Sequence, residues 1–515
     1  MAHTRFDPIT LEILWTRLVS IVDEAAANYV RTAFSTLVQE SNDFAVVLTD
    51  AQGRSLAQST KSIPSFIGTL PRTVGHFLDR FPANTLKPGD VLITNDPWLG
   101  TGHLPDISIA MPLFHKRKLV AFAAVTSHMP DIGGRTWNAG IRELFEEGLQ
   151  IPPLKLIEAG RINETAVAFI RQNVRVPELT MGDVWAEVAC CHCIGEGLIN
   201  LIEEAGVEVA ALAKEVQRRS ENAMRAAIEA IPDGVYRSRV ENDVGLEESL
   251  VAECRMTVKG SNMAIDYTGS TRQLPRAINS VPAYTFAYTC FGVKAVLSPD
   301  LPNNDGSYRP ITTWAPEGTI FNPRYPAACT TRGMAGQLLP PAVMLALAEA
   351  IPDRIQGCPG SPQCSMMLSG EHRGRGYALI NFASGSMGGG PRRDGVSTVS
   401  FPSNVANVPM EVSESLLPIR VLRRERREGS GGAGKYRGGD GQRVEFEFLG
   451  ETPGVASILM NRLNHPAAGV LGGKEGATGC AYLNGKPRLP SEHWVLNKGD
   501  RVMLETPGGG GYGAP

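Results

Sequence analysis

No uninterrupted apolar run in this sequence reaches the length of a membrane span, so no spanning helix is expected. Nor is there an excess of one charge. Fifty Lys and Arg stand against 53 Asp and Glu, and a net charge of -3 gives no basic field for nucleic acid or an anionic membrane. The opening MAHTRFDPIT lacks the apolar core of a signal peptide, so a cytoplasmic protein is expected. The nine cysteines are an odd number without regular spacing, which suits reduced thiols rather than a disulfide framework. No G-x-S-x-G elbow and no H-E-x-x-H helix occurs, which removes the common serine-hydrolase and zinc-protease readings. Repeats of solenoid period are absent as well.

What is present is a chain of 515 residues, too long for one core, with an ordinary 43% apolar and 20% charged residues. The unusual residues are 55 Gly and 36 Pro, concentrated after residue 300 with apolar strands between them, which implies tight turns rather than disorder. Asp7-Pro8 caps an amphipathic helix with Leu11, Leu14, Leu18, Ile21 and Val22 on one face. Residues 44–57 read as a hairpin and 71–81 as a helix. Residues 182–205 and 207–231 read as two long helices broken near Gly206. Strands dominate 235–268, helices recur at 275–297 and 338–351, and short strands with Gly-rich turns follow from about 376. The expected fold is α+β and multidomain. A mixed α/β N-terminal region with long helices covers 1–233, a mixed α/β middle domain 234–400, and a β-rich C-terminal region with Gly/Pro turns 401–515.

Two stretches carry the chemistry, Gly102-His103-Leu104-Pro105-Asp106 and Ser127-His128-Met129-Pro130-Asp131. Each contains His-x-Pro-Asp. Between them the apolar, β-prone runs 107–114 and 119–126 flank a charged turn, His115-Lys116-Arg117-Lys118, as in one hairpin. A regular antiparallel hairpin sets His103 opposite His128 at its open end, with Asp106 further in and Asp131 just beyond. Two imidazoles and two carboxylates converging there form the donor set of a divalent metal. The competing reading is that each histidine caps a strand end, but turn chemistry does not require the motif twice. Asp96, in Asn95-Asp96-Pro97 at the end of another apolar strand, is a further oxygen donor. Mixed nitrogen and oxygen donors favour Mn, Zn or Fe over a structural zinc, which would use cysteines.

Two other motifs mislead. Residues 429–435 fit the first seven places of G-x-x-x-x-G-K-[ST], but Tyr436 stands where a Ser or Thr is required, so a turn-dense structural loop is expected. Cys190-Cys191-His192-Cys193 falls within a helical pattern, which fans its side chains around the axis and makes a structural cluster the better reading. The closing Pro507-Gly508-Gly509-Gly510-Gly511-Tyr512-Gly513 offers flexible backbone and specifies no chemistry.

Taken in order, several segments resemble the hydantoinase B / 5-oxoprolinase family. They are Asn95-Asp96-Pro97, both His-x-Pro-Asp stretches, Glu147-Gly148-Leu149-Gln150-Ile151-Pro152-Pro153, Asp266-Tyr267-Thr268-Gly269-Ser270, 430–439 and the closing glycines. They span nearly the whole chain. This chain departs from the family at Ser62-Ile63-Pro64-Ser65, where many members carry His-Ile-Pro-x-His, and at Asn461-Arg462, where Asp-Arg is expected.

The resemblance implies the B subunit of an ATP-dependent hydantoinase or lactamase. Its partner is a hydantoinase A-type ATPase subunit in a hetero-oligomer. The partner, not this chain, binds ATP and phosphorylates the carbonyl oxygen of a small cyclic amide. The family's metal triad falls on His103, Asp106 and His128, and the metal then activates water against the phosphorylated carbonyl. Asp131 is expected as a fourth ligand or a base, with Asp96 and Glu147 orienting water or the ligand histidines. Arg332 is a candidate anion holder. An α subunit of a ketone carboxylase, or a scaffold subunit with a structural metal, are the alternatives.

Overall fold

The computed structural model describes residues 6–135, 140–244, 249–361, 364–490 and 493–515. The chain opens with α1 (Pro8–Thr32), whose N-cap Asp7 accepts hydrogen bonds from the backbone of Ile9 and Thr10 at 3.1 and 3.0 Å. A short α2 (Thr36–Gln39) follows. Strands β1 (Phe44–Asp50), β2 (Ser55–Gln58), β3 (Val91–Thr94), β4 (Asp106–His115), β5 (Lys118–His128), β6 (Leu154–Glu158) and β7 (Arg161–Ile162) then form one sheet in the order β2-β1-β5-β4-β3-β6-β7. Alternation along β1 divides its side chains between two layers. Phe44, Val46 and Leu48 pack against α1 and α5 (Pro177–Ala205), whereas Ala45 and Val47 meet Leu70, Val74 and Phe77 of α3 (Thr69–Arg80). Both faces are therefore covered, and β1 is buried throughout. Helix α4 (Glu164–Asn173) precedes α5, which ends at the left-handed Gly206 before α6 (Val209–Glu229).

A second sheet, β11-β10-β9-β8, comprises β8 (Gly234–Asn242), β9 (Leu250–Lys259), β10 (Asn262–Asp266) and β11 (Ile311–Trp314). Along β9 buried residues alternate with half-buried or exposed ones, which marks one covered face, and that face packs on α7 (Pro282–Leu297) and α9 (Leu339–Ala346). The turn α8 (Gly333–Gly336) lies between those helices. Helix α7 starts at Pro282, later than the periodicity from 275 suggests, because Asn279 spends its side chain on the carbonyls of Leu274, Arg276 and Ala328 and holds a loop there.

The C-terminal region is a sandwich of two sheets around one core. One sheet is β13-β12-β16-β19, made from β12 (Cys364–His372), β13 (Arg375–Ala383), β16 (Gly454–Leu459) and β19 (His493–Leu496). The other is β14-β15-β20-β17-β18, made from β14 (Ile419–Arg426), β15 (Gln442–Phe448), β17 (Cys480–Leu483), β18 (Lys486–Pro487) and β20 (Arg501–Glu505). Helix α10 (Met410–Leu416) leads into β14. The fold is thus α+β with several antiparallel sheets, as the sequence implies.

The closing glycines are not flexible. Gly509 accepts a hydrogen bond from Gly432 N at 2.8 Å and donates to Gly439 O at 3.0 Å, and Gly510 donates to Cys358 O at 2.9 Å. Backbone segments from distant parts of the chain lie side by side here, outside any strand ladder. A Cβ on Gly509 would sit 2.2 Å from Met387 O, and one on Gly510 2.0 Å from Ala468 O. Only glycine allows such approach, for the reason glycine is obligatory at the collagen axis. The segment 429–435 belongs to this bundle and connects strand β14 to strand β15, so it does not run from a strand into a helix as a phosphate-binding P-loop does.

Candidate metal centre

Strands β4 and β5 pair antiparallel through a turn in which Lys116 and Arg117 both have positive φ, 48° and 67°. The register places Asp106, the first residue of β4, directly opposite His128, the last of β5. His103 therefore lies in the loop before the strand rather than opposite His128, and reaches back over it. Asn95 shapes that loop. Its amide donates to Leu104 O at 2.8 Å and Leu149 O at 2.9 Å, and its oxygen accepts Ile151 N at 2.6 Å.

The result is one buried cluster. One ligating atom from each of His103, Asp106 and His128 lies within 4.8 Å of the others, and all three residues are buried. His103 Nε2 is 2.6 Å and His128 Nδ1 3.2 Å from the same Asp106 Oδ1. The second carboxylate oxygen accepts from the Thr101 hydroxyl and from Arg332 Nη2, each at 2.6 Å. Arg332 is itself buried. Its Nε donates to Thr101 O at 3.0 Å and its guanidinium lies 4.2 Å from the Tyr284 ring centre. It can pack so closely because residue 102 is glycine at φ 108°, where a Cβ would meet Arg332 Cδ at 2.8 Å.

The protons explain the cluster. His103 Nδ1 faces the Thr330 carbonyl at 2.6 Å, and a carbonyl only accepts, so Nδ1 carries the hydrogen. Burial, then Arg332, pulls the imidazole down to about 4, which leaves His103 neutral near pH 7 and Nε2 a bare lone pair. Burial works against ionisation of Asp106, yet its carboxyl is held well below its ordinary range, with the Arg332 guanidinium on its second oxygen. Two acceptors thus face each other at 2.6 Å, an arrangement that a cation between them relieves. An imidazole fixed through its other nitrogen by a backbone carbonyl is also the usual setting of a metal-bound histidine. The donor set fits a divalent ion.

The other residues read from the sequence lie differently. Asp131 does not join the three. Its carboxylate accepts from the backbone N of Arg175 and from Arg175 Nη1, the latter at 2.7 Å, which turns it toward the junction of α4 and α5. Asp96 caps its own turn, accepting Trp98 N at 2.9 Å. Glu147 is buried and accepts from Cys329 N at 2.5 Å and Thr330 N at 2.7 Å. It thereby holds the segment whose Thr330 carbonyl aligns His103, so it acts on the centre through the backbone. Arg332 is committed to Asp106 and the Thr101 carbonyl.

One residue escaped the sequence reading. Asp43 is buried, and its carboxyl lines the same cavity as the triad, with no hydrogen-bond partner among the described residues. Its backbone carbonyl accepts His128 N at 3.1 Å. Burial pushes the Asp43 carboxyl up to about 6, so it can change protonation near neutrality or offer a further oxygen donor. The only sequence signal was an acidic residue just before a strand that pairs with β5. The cavity is small, about 40 Å³, room for an ion with a water or two. Ser65 lines it too, whereas Ser62 is hydrogen-bonded to Ser59 at 2.7 Å.

Glu147 gives the fold a pH dependence. Burial raises its carboxyl from 4.5 to about 7, against the backbone hydrogen bonds that lower it. Between those values the folded state keeps a proton that the unfolded state has released. The contribution of Glu147 to stability should therefore fall by about 3 kcal/mol as pH climbs through that window, read as the difference between the parent and a Glu147→Gln variant. Glu147→Gln keeps an acceptor for Cys329 and Thr330 and should abolish this slope. Urea midpoints at about pH 5 and about pH 8 check it, and an unchanged slope in the variant would refute it.

Comparison with known proteins agrees with this architecture. The family model for hydantoinase B/oxoprolinase matches residues 7–515, and the chain belongs to that family. An uncharacterized protein of Methanocaldococcus jannaschii is 33% identical over 99% of this chain and 91% of its own length. The caprolactamase subunit beta of Pseudomonas jessenii is 28% identical, with 99% and 91% covered. The crystal structure of the ATP-dependent caprolactamase from Pseudomonas jessenii superposes with a TM-score of 0.90 at 26% identity, covering 99% of this chain and 92% of that one.

Proposed function

We propose that this chain is the B-type subunit of an ATP-dependent cyclic-amide hydrolase acting on a hydantoin, lactam or 5-oxoproline-like ring. The observation that carries this is the pair of acceptors, His103 Nε2 and Asp106 Oδ1, held face to face at 2.6 Å beside His128 in a buried cavity. An amide carbonyl resists water through resonance, and phosphorylation of its oxygen by a partner A-type ATPase subunit removes that protection. A divalent ion held by His103, Asp106 and His128 supplies Lewis acidity that brings the pKa of water toward neutrality. Asp106 neutralises part of the charge, and Arg332 and Thr101 fix which of its oxygens faces the histidines. Thr330 sets the tautomer of His103. Asp43, close to its own midpoint near neutral pH, takes up the proton that an attacking water releases. The name of the beta subunit in the Pseudomonas jessenii relative supports a partner.

The test is reconstitution. The chain should be purified alone and with its co-encoded ATPase subunit, then offered ATP with hydantoin, 5-oxoproline and caprolactam. Ring opening is expected only with both subunits and ATP, with one divalent ion per chain by elemental analysis. Ring opening by the isolated chain would overturn the division of labour. A requirement for bicarbonate would move the protein to carboxylase chemistry. Full turnover by the assembled His128→Ala complex would leave the chain a scaffold.

A further inference from the structure

A second cavity, of about 640 Å³, lies between the end of α7, the turn at Pro352–Arg354 and the hairpin loop around 386–397. That volume is in the range of small-molecule sites, about 300–1,000 Å³. Its inner wall is apolar, with Met344, Ile355 and Phe401, and its rim carries Arg354, Arg392 and Arg393. None of these three guanidiniums has an ion pair or hydrogen-bond acceptor among the described residues. The rim also holds Asp353 and Asp394, but Asp394 already accepts Arg437 N at 2.8 Å, and the balance remains positive.

The arginine loop is pinned rather than loose. Gly390 N donates to Arg393 O at 3.0 Å and Met387 N to Val396 O at 2.9 Å, which closes the hairpin that presents Arg392 and Arg393. Arg354 follows Pro352, whose carbonyl accepts the Tyr512 hydroxyl at 2.8 Å. Unpaired guanidiniums on a fixed loop and an apolar wall converge on one space. Three arginines against two carboxylates leave the rim net positive, and a bound anion would pair with the guanidiniums that no carboxylate meets.

We propose that this cavity binds a small organic anion whose phosphate or carboxylate head is held by Arg354, Arg392 and Arg393 and whose apolar body lies against Met344, Ile355 and Phe401. The inference stands independently of the metal centre. Titration calorimetry of the full chain with phenyl phosphate, benzoate and inorganic phosphate tests it, and the first two separate a phosphate from a carboxylate preference. Saturable binding of phenyl phosphate or benzoate is expected, roughly 10-fold tighter than inorganic phosphate because the ring removes apolar area from water. The double variant Arg392→Ala/Arg393→Ala should weaken it about 10-fold or more, since charge-assisted hydrogen bonds are lost. His128→Ala, which disables only the metal centre, should bind as the parent does. The three arginines are solvent-exposed, so their variants keep the fold, and matched melting curves verify it. Absence of saturable binding, equal binding by the arginine variant, or loss of binding in His128→Ala would each overturn the proposal. So would a variant Arg392→Glu/Arg393→Glu that loses assembly with the ATPase subunit while the parent binds none of the three probes, which would make the rim a protein-docking surface.

Discussion

Asp106→Ala should abolish binding of the proposed metal and destabilise the fold by about 3–5 kcal/mol, the usual cost of leaving one charge of a buried pair alone. The stranded group is Arg332, which is buried and would keep only the Thr101 carbonyl and the Tyr284 face. The loss of metal follows separately, because two histidines hold an ion poorly without the carboxylate between them. Asp106→Asn separates the two effects. It retains an oxygen for Thr101 and Arg332 but no charge, so only part of the stability should persist while binding of the proposed metal is lost. In the double variant Asp106→Ala/Arg332→Leu part of the stability should return, since no charge remains unpaired. Denaturant midpoints together with elemental analysis read both quantities. Metal retained at full occupancy in Asp106→Ala would remove that residue from the centre.

Gly509→Ala should be at least as damaging, costing more than about 4 kcal/mol or preventing folding, because the added carbon has no space and every nearby atom is backbone. The nearest is Met387 O at 2.2 Å, itself the acceptor of Gly439 N, so relief would require separating hydrogen-bonded segments. Gly75→Ala is the control. It lies within α3 with nothing inside 4 Å of the new carbon, and there alanine should stabilise by up to about 1 kcal/mol. Melting temperatures of the two variants should move in opposite directions. A folded Gly509→Ala protein with an unchanged melting temperature would show that the bundle is looser than the geometry requires.

The C-terminal glycines show how a local reading goes astray. Read alone, four consecutive glycines mean freedom, because nothing in the sequence says what approaches them. Their neighbours come from residues near 358, 387, 432, 439, 468 and 474, separated in sequence by tens to more than a hundred positions. Asp131 stands apart from the three for the same reason. Its His-x-Pro-Asp context equals that of Asp106, yet one carboxylate begins a strand and the other meets Arg175 after the chain has turned away. Local sequence could not separate them, since the deciding partners, Arg332 and Arg175, are remote from both.

The sequence by itself determined the hairpin, because an apolar β-run on each side of a charged turn permits little else, though not its register, which sets Asp106 rather than His103 opposite His128. It also determined the long helices, through their periodicity and the glycine stop at 206. Only the tertiary structure decided which carboxylates face the centre. Asp43 arrives just before the strand beside β5, Glu147 grips residues 329–330, and Thr330 and Arg332 come from the segment ahead of α8. The physical reason is that strand and helix formation follow side-chain periodicity within a few residues. The protonation and orientation of a buried imidazole follow from whichever donors, acceptors and charges the packed chain brings within about 3 Å, whatever their separation in sequence.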